Sequence, residues 1–86
     1  MRIELKKFGE VLTSRPAGKE AFAAIRPILE PNADAIEIDF SGIISLSPSF
    51  ADEFFTGLKG MYGKRIKYLP TDNSSVIETL KILEES

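Results

Sequence analysis

Residues 39–55 read DFSGIISLSPSFADEFF, and the rest of the chain is arranged around them. They continue an alternating run, Ile36, Ile38 and Phe40 against Glu37 and Asp39, which is the period-two pattern of a half-buried strand. A turn follows at Ser41-Gly42, and Ser47-Pro48-Ser49 then opens a helix. A strand, a loop and a capped helix in succession present backbone N–H groups and hydroxyls at one end of a sheet, where α/β proteins commonly place recognition or chemistry.

Upstream, Ile3 and Leu5 alternate with Arg2, Glu4 and Lys6, which predicts a first strand. Phe8-Gly9 reads as a turn and Val11-Leu12 as a second strand, so residues 2–13 are expected to form a hairpin. Ser14 before Arg15-Pro16 marks a helix start, and Ala17, Ala21, Phe22, Ala24, Ile25, Ile28 and Leu29 give that helix one apolar face. Pro27 lacks a donor and crowds the carbonyl four residues back, so the helix should kink or end near Arg26.

Downstream, Phe50, Phe54, Leu58 and Met61 form a helical stripe that Gly60 or Gly63 stops. Ile66 and Tyr68 around Lys67 predict a short strand. Asp72-Asn73-Ser74-Ser75 offers several caps for a last helix carrying Val76, Ile77, Leu80 and Leu83, and Ser75 with Glu78 has capping-box spacing. The order β-β-α-β-α-β-α predicts an α/β fold. About four strands form one mixed sheet, and three helices lie mainly on one face because every strand alternates with charge. The other face should be wet, bearing Arg2, Glu4, Lys6, Glu37, Asp39 and Lys67.

The chain has 86 residues, 43% hydrophobic and 28% charged, which predicts a single domain over residues 1–86. It contains no cysteine and no histidine, which removes disulfides, thiolate nucleophiles, the usual zinc sites and imidazole acid–base chemistry. No cofactor or metal is implied and no enzyme is expected. Eleven basic and thirteen acidic residues, net charge −2, lack the footprint of a nucleic-acid binder. Lys64, Arg65 and Lys67 read as a solvated strand edge. With neither a signal peptide nor a long apolar run, the expectation is a cytoplasmic chain with no membrane partner.

Within the central stretch, Ser49 is expected to cap the helix through the N–H of Asp52, with Asp52 favoured in the first turn by the macrodipole. Asp52 and Glu53 are adjacent, so they point about 100° apart and do not make an acid–base pair. Asp39 and Ser41 are expected to stabilise the turn and Gly42 to let the chain bend. Phe50, Phe54 and Leu58 should enter the core. Phe55 lies to the side, either buried under a neighbouring helix or left as a sticky spot near the helix start.

The same stretch resembles the STAS domains of bacterial anti-sigma factor antagonists, and most closely the STAS-like domain family of unknown function. Asp39, Phe40, Ser41, Gly42 and Ile43 match the family's strand exit. Ser49, Phe50, Ala51, Asp52 and Glu53 match the STAS-like form of the helix opening. In the antagonists the first serine of an Asp-Ser-Ser-Gly turn is phosphorylated by a kinase with a histidine-kinase-like ATPase fold, and this releases the partner. Here Ser47 stands at the aspartate position, Pro48 at the phosphorylated serine and Ser49 at the second serine, and proline cannot accept phosphate.

The resemblance implies a non-catalytic regulatory module in partner-switching signalling. The partner it implies is a protein with a histidine-kinase-like ATPase domain, docked through Ser41, Gly42, Ser47, Pro48, Ser49, Asp52 and Glu53. Phosphate on Ser49 or Ser47 is a subsidiary expectation, and the open sheet face leaves room for a homodimer. The alternative is a module that binds a small ligand, a nucleotide or a lipid, with an anion at the helix N-terminus.

Overall fold

The computed structural model describes residues 1–85. Three parallel strands form the main sheet in the order β1 (Arg2–Glu4), β3 (Ile36–Asp39), β5 (Ile66–Tyr68), with Ile3 opposite Ile38 and Ile38 opposite Tyr68. A second parallel pair joins β2 (Val11–Leu12) to β4 (Ser45–Leu46). The expected α/β class and three helices are present, but the single four-stranded mixed sheet is replaced by five strands in two sheets with only parallel pairing.

The expected hairpin over residues 2–13 does not form. Leu5–Phe8 makes a single 3-10 turn instead of extending β1, because Leu5 and Phe8, three residues apart, both turn inward. The chain therefore leaves β1 for a different sheet. The short β4 lies inside the segment read from sequence as loop.

Helix α1 (Arg15–Ile25) starts at Ser14, whose hydroxyl accepts from the Ala17 N–H, and passes into a 3-10 turn, Arg26–Ile28, at Pro27. Helix α2 (Pro48–Tyr62) ends at Gly63, which has φ 56°. Helix α3 (Ser74–Glu84) is capped by Asn73 rather than by Ser75, the Asn73 side chain accepting from the Val76 N–H. α2 lies between α1 and α3 and packs on both, so it is apolar on more than one face. Phe50, Ala51, Phe54, Phe55, Leu58 and Tyr62 are all buried. The Phe55 ring stands edge-on to Phe54 at 5.2 Å and to Tyr68 at 5.4 Å, which removes it from the surface.

Two glycines allow the α1–α2 approach. A Cβ on Gly18 would lie 2.6 Å from the Phe50 carbonyl oxygen, and one on Gly57 would lie 2.7 Å from the Phe22 ring. Arg65 is not a solvated edge residue. Its guanidinium donates to the carbonyls of Pro31, Ala33, Met61 and Tyr62 and lies 5.0 Å from the Tyr62 ring centroid, tying the loop before β3 to the end of α2. Arg2, Glu4 and Lys67 are exposed as expected of a wet sheet face, whereas Asp39 is only 9% exposed.

Candidate functional site

The turn after β3 is built on Asp39. One carboxylate oxygen accepts from the Ser41 N–H at 2.9 Å and the other from Arg2 at 2.8 Å. The Ser41 N–H and hydroxyl, and then the Arg2 guanidinium, lower the Asp39 pKa to about 2. Charge here is structural, since a carboxylate so strongly held is a poor proton acceptor near neutral pH. The Ile43 N–H closes the turn on the Phe40 carbonyl at 3.2 Å, and Gly42 at its third position has φ 83°. A Cβ there would also meet the Lys6 side chain at 2.9 Å.

The opening of α2 departs from the sequence expectation by two residues. Ser47, not Ser49, is the N-cap: its hydroxyl accepts from the Phe50 N–H at 3.3 Å, and its carbonyl takes the Ala51 N–H at 3.1 Å. Pro48 then occupies the first helical position, where a missing N–H costs nothing and the fixed φ is already helical. The Ser47 hydroxyl also donates to the Thr13 carbonyl at 2.7 Å, fastening α2 to the segment before α1. Ser49 is half-buried in the first turn, and its hydroxyl takes no partner among the described residues.

Asp52 and Glu53 leave the helix in different directions but converge on Arg15, whose Nη1 lies 2.7 Å from Asp52 and 2.8 Å from Glu53. Arg15 lowers the Asp52 pKa, and both carboxylates raise that of Arg15. The three side chains join the starts of α1 and α2 at a solvent-accessible point, where such a network stabilises little.

The segment between these points is fixed from two sides. The Glu10 carbonyl accepts from the Ile44 and Ser45 N–H groups, and the Leu12 carbonyl from Ser47 N–H. On the far edge of β4, α3 supplies side chains where another strand would supply backbone. Asn73 Nδ2 donates to the Ile43 and Ile44 carbonyls at 2.8 and 3.3 Å. Ser75 Oγ accepts from Leu46 N–H and donates to Leu46 C=O, both at 3.0 Å, and buried Thr79 adds a 2.7 Å bond to that carbonyl. The polar run 72–75 is richer than one helix cap requires, and that excess was the sequence signal for this clamp.

Held in this way, the segment exposes Ile44 at 63%, and Val11 on the adjoining strand is 58% exposed. Ser41, Gly42, Pro48 and Asp52 are also exposed, while Ser47, Ser49 and Glu53 are half-buried. A cleft of about 490 Å³ opens between the turn at Phe40–Ile43 and residues 70–73, beyond the carboxyl ends of β3 and β5. Among the described residues no group of three or more acidic side chains is placed to hold a metal, and no helix is long and apolar enough to cross a membrane.

No curated protein and no solved structure matches the chain. A family model does match, over residues 17–76, which run from the first turn of α1 to the start of α3. The chain therefore belongs to the family described as the STAS-like domain of unknown function (DUF4325).

Proposed function

We propose that this STAS-like domain is a non-catalytic regulatory module that docks a protein partner through the segment 41–48 and the first turns of α2. The observation that carries the reading is the combination of exposed Ile44 and Pro48 with a segment whose backbone is already held by β2 and by the side chains of α3. A surface fixed before binding loses little entropy when a partner arrives, and an exposed aliphatic group at its centre supplies apolar area. The partner class follows from the resemblance to anti-sigma factor antagonists: a cytoplasmic bacterial protein with a histidine-kinase-like ATPase domain, in partner-switching signalling.

Between the two serines, Ser49 suits modification better. The Ser47 hydroxyl is committed to the Thr13 carbonyl and the Phe50 N–H, whereas the Ser49 hydroxyl is not engaged and sits one turn from Asp52 and Glu53. A phosphate on Ser49 would gain from the helix N-terminus and would compete with both carboxylates for Arg15, opening the contact between the two helix starts.

The test is isothermal titration of the purified domain against an ATPase-domain protein encoded beside it. Ile44→Asp, Ser49→Glu and Asp52→Arg should each weaken binding about tenfold or more, as expected when central contacts of an interface are lost. Lys64→Glu, near the far end of α2, should not. Unchanged binding in the first three removes this face from consideration. A second reading, a small anionic or acyl ligand, is favoured by the cleft lined by Ser41, Gly42, Thr71 and Asn73. A nucleotide or acyl chain that raises the melting temperature in proportion to the logarithm of its concentration would support it.

A further inference from the structure

β1 is an edge strand: among the described residues the main sheet has nothing beyond it. The Glu37 N–H bonds the Met1 carbonyl at 2.8 Å, so Met1 and Ile3 turn their backbone groups toward β3. Those of Arg2 and Glu4 consequently point outward. Beside this edge runs a trough of about 160 Å³ with an apolar floor, from Ile3 and Phe8 to Ile25 and Ile28, and a charged rim of Arg2, Glu4 and Lys7. It continues past Phe8 and Ala24 into a second depression, of about 260 Å³, floored by Ala17 and Ala21 on α1. Ile28 is 67% exposed and Met1 40%, the first being the most exposed large apolar side chain among the described residues. An unpaired edge flanked by an open trough with an apolar floor is a surface that soluble proteins usually cover.

The sequence of the edge complements itself. Read antiparallel against itself about Ile3, the strand Arg2-Ile3-Glu4 places Arg2 opposite Glu4 of a second copy and Glu4 opposite its Arg2. The same two-fold brings each outward Glu4 N–H to the outward Arg2 carbonyl of the other copy, a hydrogen-bonded antiparallel pair. A two-fold contact requires one patch to complement itself, and this one does so in charge and in backbone polarity. A parallel pairing would set Arg2 against Arg2 and Glu4 against Glu4.

We propose that two copies of this chain associate through their β1 edges, joining two three-stranded sheets into one of six strands. In that arrangement Ile28 and Met1 of each copy close over the trough, and the charged sheet face stays in water. The Arg2 guanidinium keeps its bond to Asp39, since its side chain is more than half exposed and has donors to spare. The surface is separate from the segment 41–53, so a dimer would still present two docking faces.

Sedimentation velocity over a concentration series tests this on the full chain. The native protein should show reversible monomer–dimer behaviour. Ile28→Lys, at a side chain that lies mostly in solvent, should raise the dimer dissociation constant about tenfold by removing apolar burial and adding a cation per copy beside Lys7. Glu4→Arg should do the same by opposing two arginines. Circular dichroism melts close to native for both variants would exclude misfolding as the cause. Because the chain has no cysteine, a mixture of Arg2→Cys and Glu4→Cys proteins should form a mixed disulfide in preference to either self-pair, which reads the antiparallel register directly. Ser49→Glu and Asp52→Arg should leave the dimer intact, which separates this surface from the docking face. A native protein that stays monomeric at millimolar concentration, or a dimer indifferent to both Ile28→Lys and Glu4→Arg, overturns the proposal.

Discussion

Two helical glycines in this chain should answer the same substitution with opposite signs. Gly18 lies in the first turn of α1, and a Cβ there would sit 2.6 Å from the Phe50 carbonyl oxygen and 3.1 Å from the Glu53 Cβ. An ordinary contact of this kind is longer by about half an ångström or more, and the obstacle is helical backbone that cannot rotate away. Gly18→Ala therefore forces α1 off α2, at a cost of about 1–3 kcal/mol for overpacking, against a helix-propensity gain of less than about 1 kcal/mol. The net expectation is about 1–2 kcal/mol of destabilisation. Gly60, in the last turn of α2, would present its Cβ to nothing within 4 Å, so Gly60→Ala should stabilise by about 0.5–1 kcal/mol. Urea denaturation with a common m-value measures both. In a domain of this size the two melting temperatures should differ by roughly 8 °C or more, with the native protein between them. Gly18→Ala at or above native stability would refute the claim that the α1–α2 crossing depends on a missing side chain.

The two serines and Asp39 give further tests. Ser47→Ala removes the cap of α2 and the bond to Thr13 and should cost about 1–2 kcal/mol in urea, whereas Ser49→Ala should fall within about 0.5 kcal/mol of native. The reverse order would restore Ser49 as the cap. Asp39 has its folded pKa lowered to about 2, so it contributes stability in full above the unfolded carboxylate range near 4, and that contribution is lost as pH falls toward 2. Thermal melts between pH 6 and 2 should therefore show a shallower acid limb in Asp39→Asn than in the native chain, and parallel limbs would mean that the Ser41 and Arg2 contacts are not made in solution.

Local features were legible in the sequence where one short stretch carried the whole signal. Ser14 capping α1, Pro27 ending it and the alternation at Ile36–Asp39 were each read correctly from residues within a turn of one another. The failures share a different cause. The strand at Val11-Leu12 was expected, but its partner was not: β4 is two residues long and pairs with β2 across more than thirty positions, so no periodicity announces it. Leu5 and Leu12 looked like members of one hairpin because alternation cannot reveal that Phe8 turns inward and redirects the chain. Within Ser47-Pro48-Ser49 both serines fit a cap pattern, and the choice is settled by the Thr13 carbonyl, a partner from a distant segment. Asp52 and Glu53 were read as pointing apart along one helix, and their meeting point, Arg15, comes from another helix that local spacing cannot reveal.

The closing of β4 by α3 bears on when this domain becomes competent during synthesis. The far edge of Leu46 and the carbonyls of Ile43 and Ile44 are satisfied by Asn73, Ser75 and Thr79, side chains about thirty positions later. Until those residues clear the ribosomal exit tunnel, a nascent chain holds the segment by β2 alone, with one row of peptide groups left to water. A partner that reads this shape, as proposed above, would thus engage the segment only after α3 has docked on it.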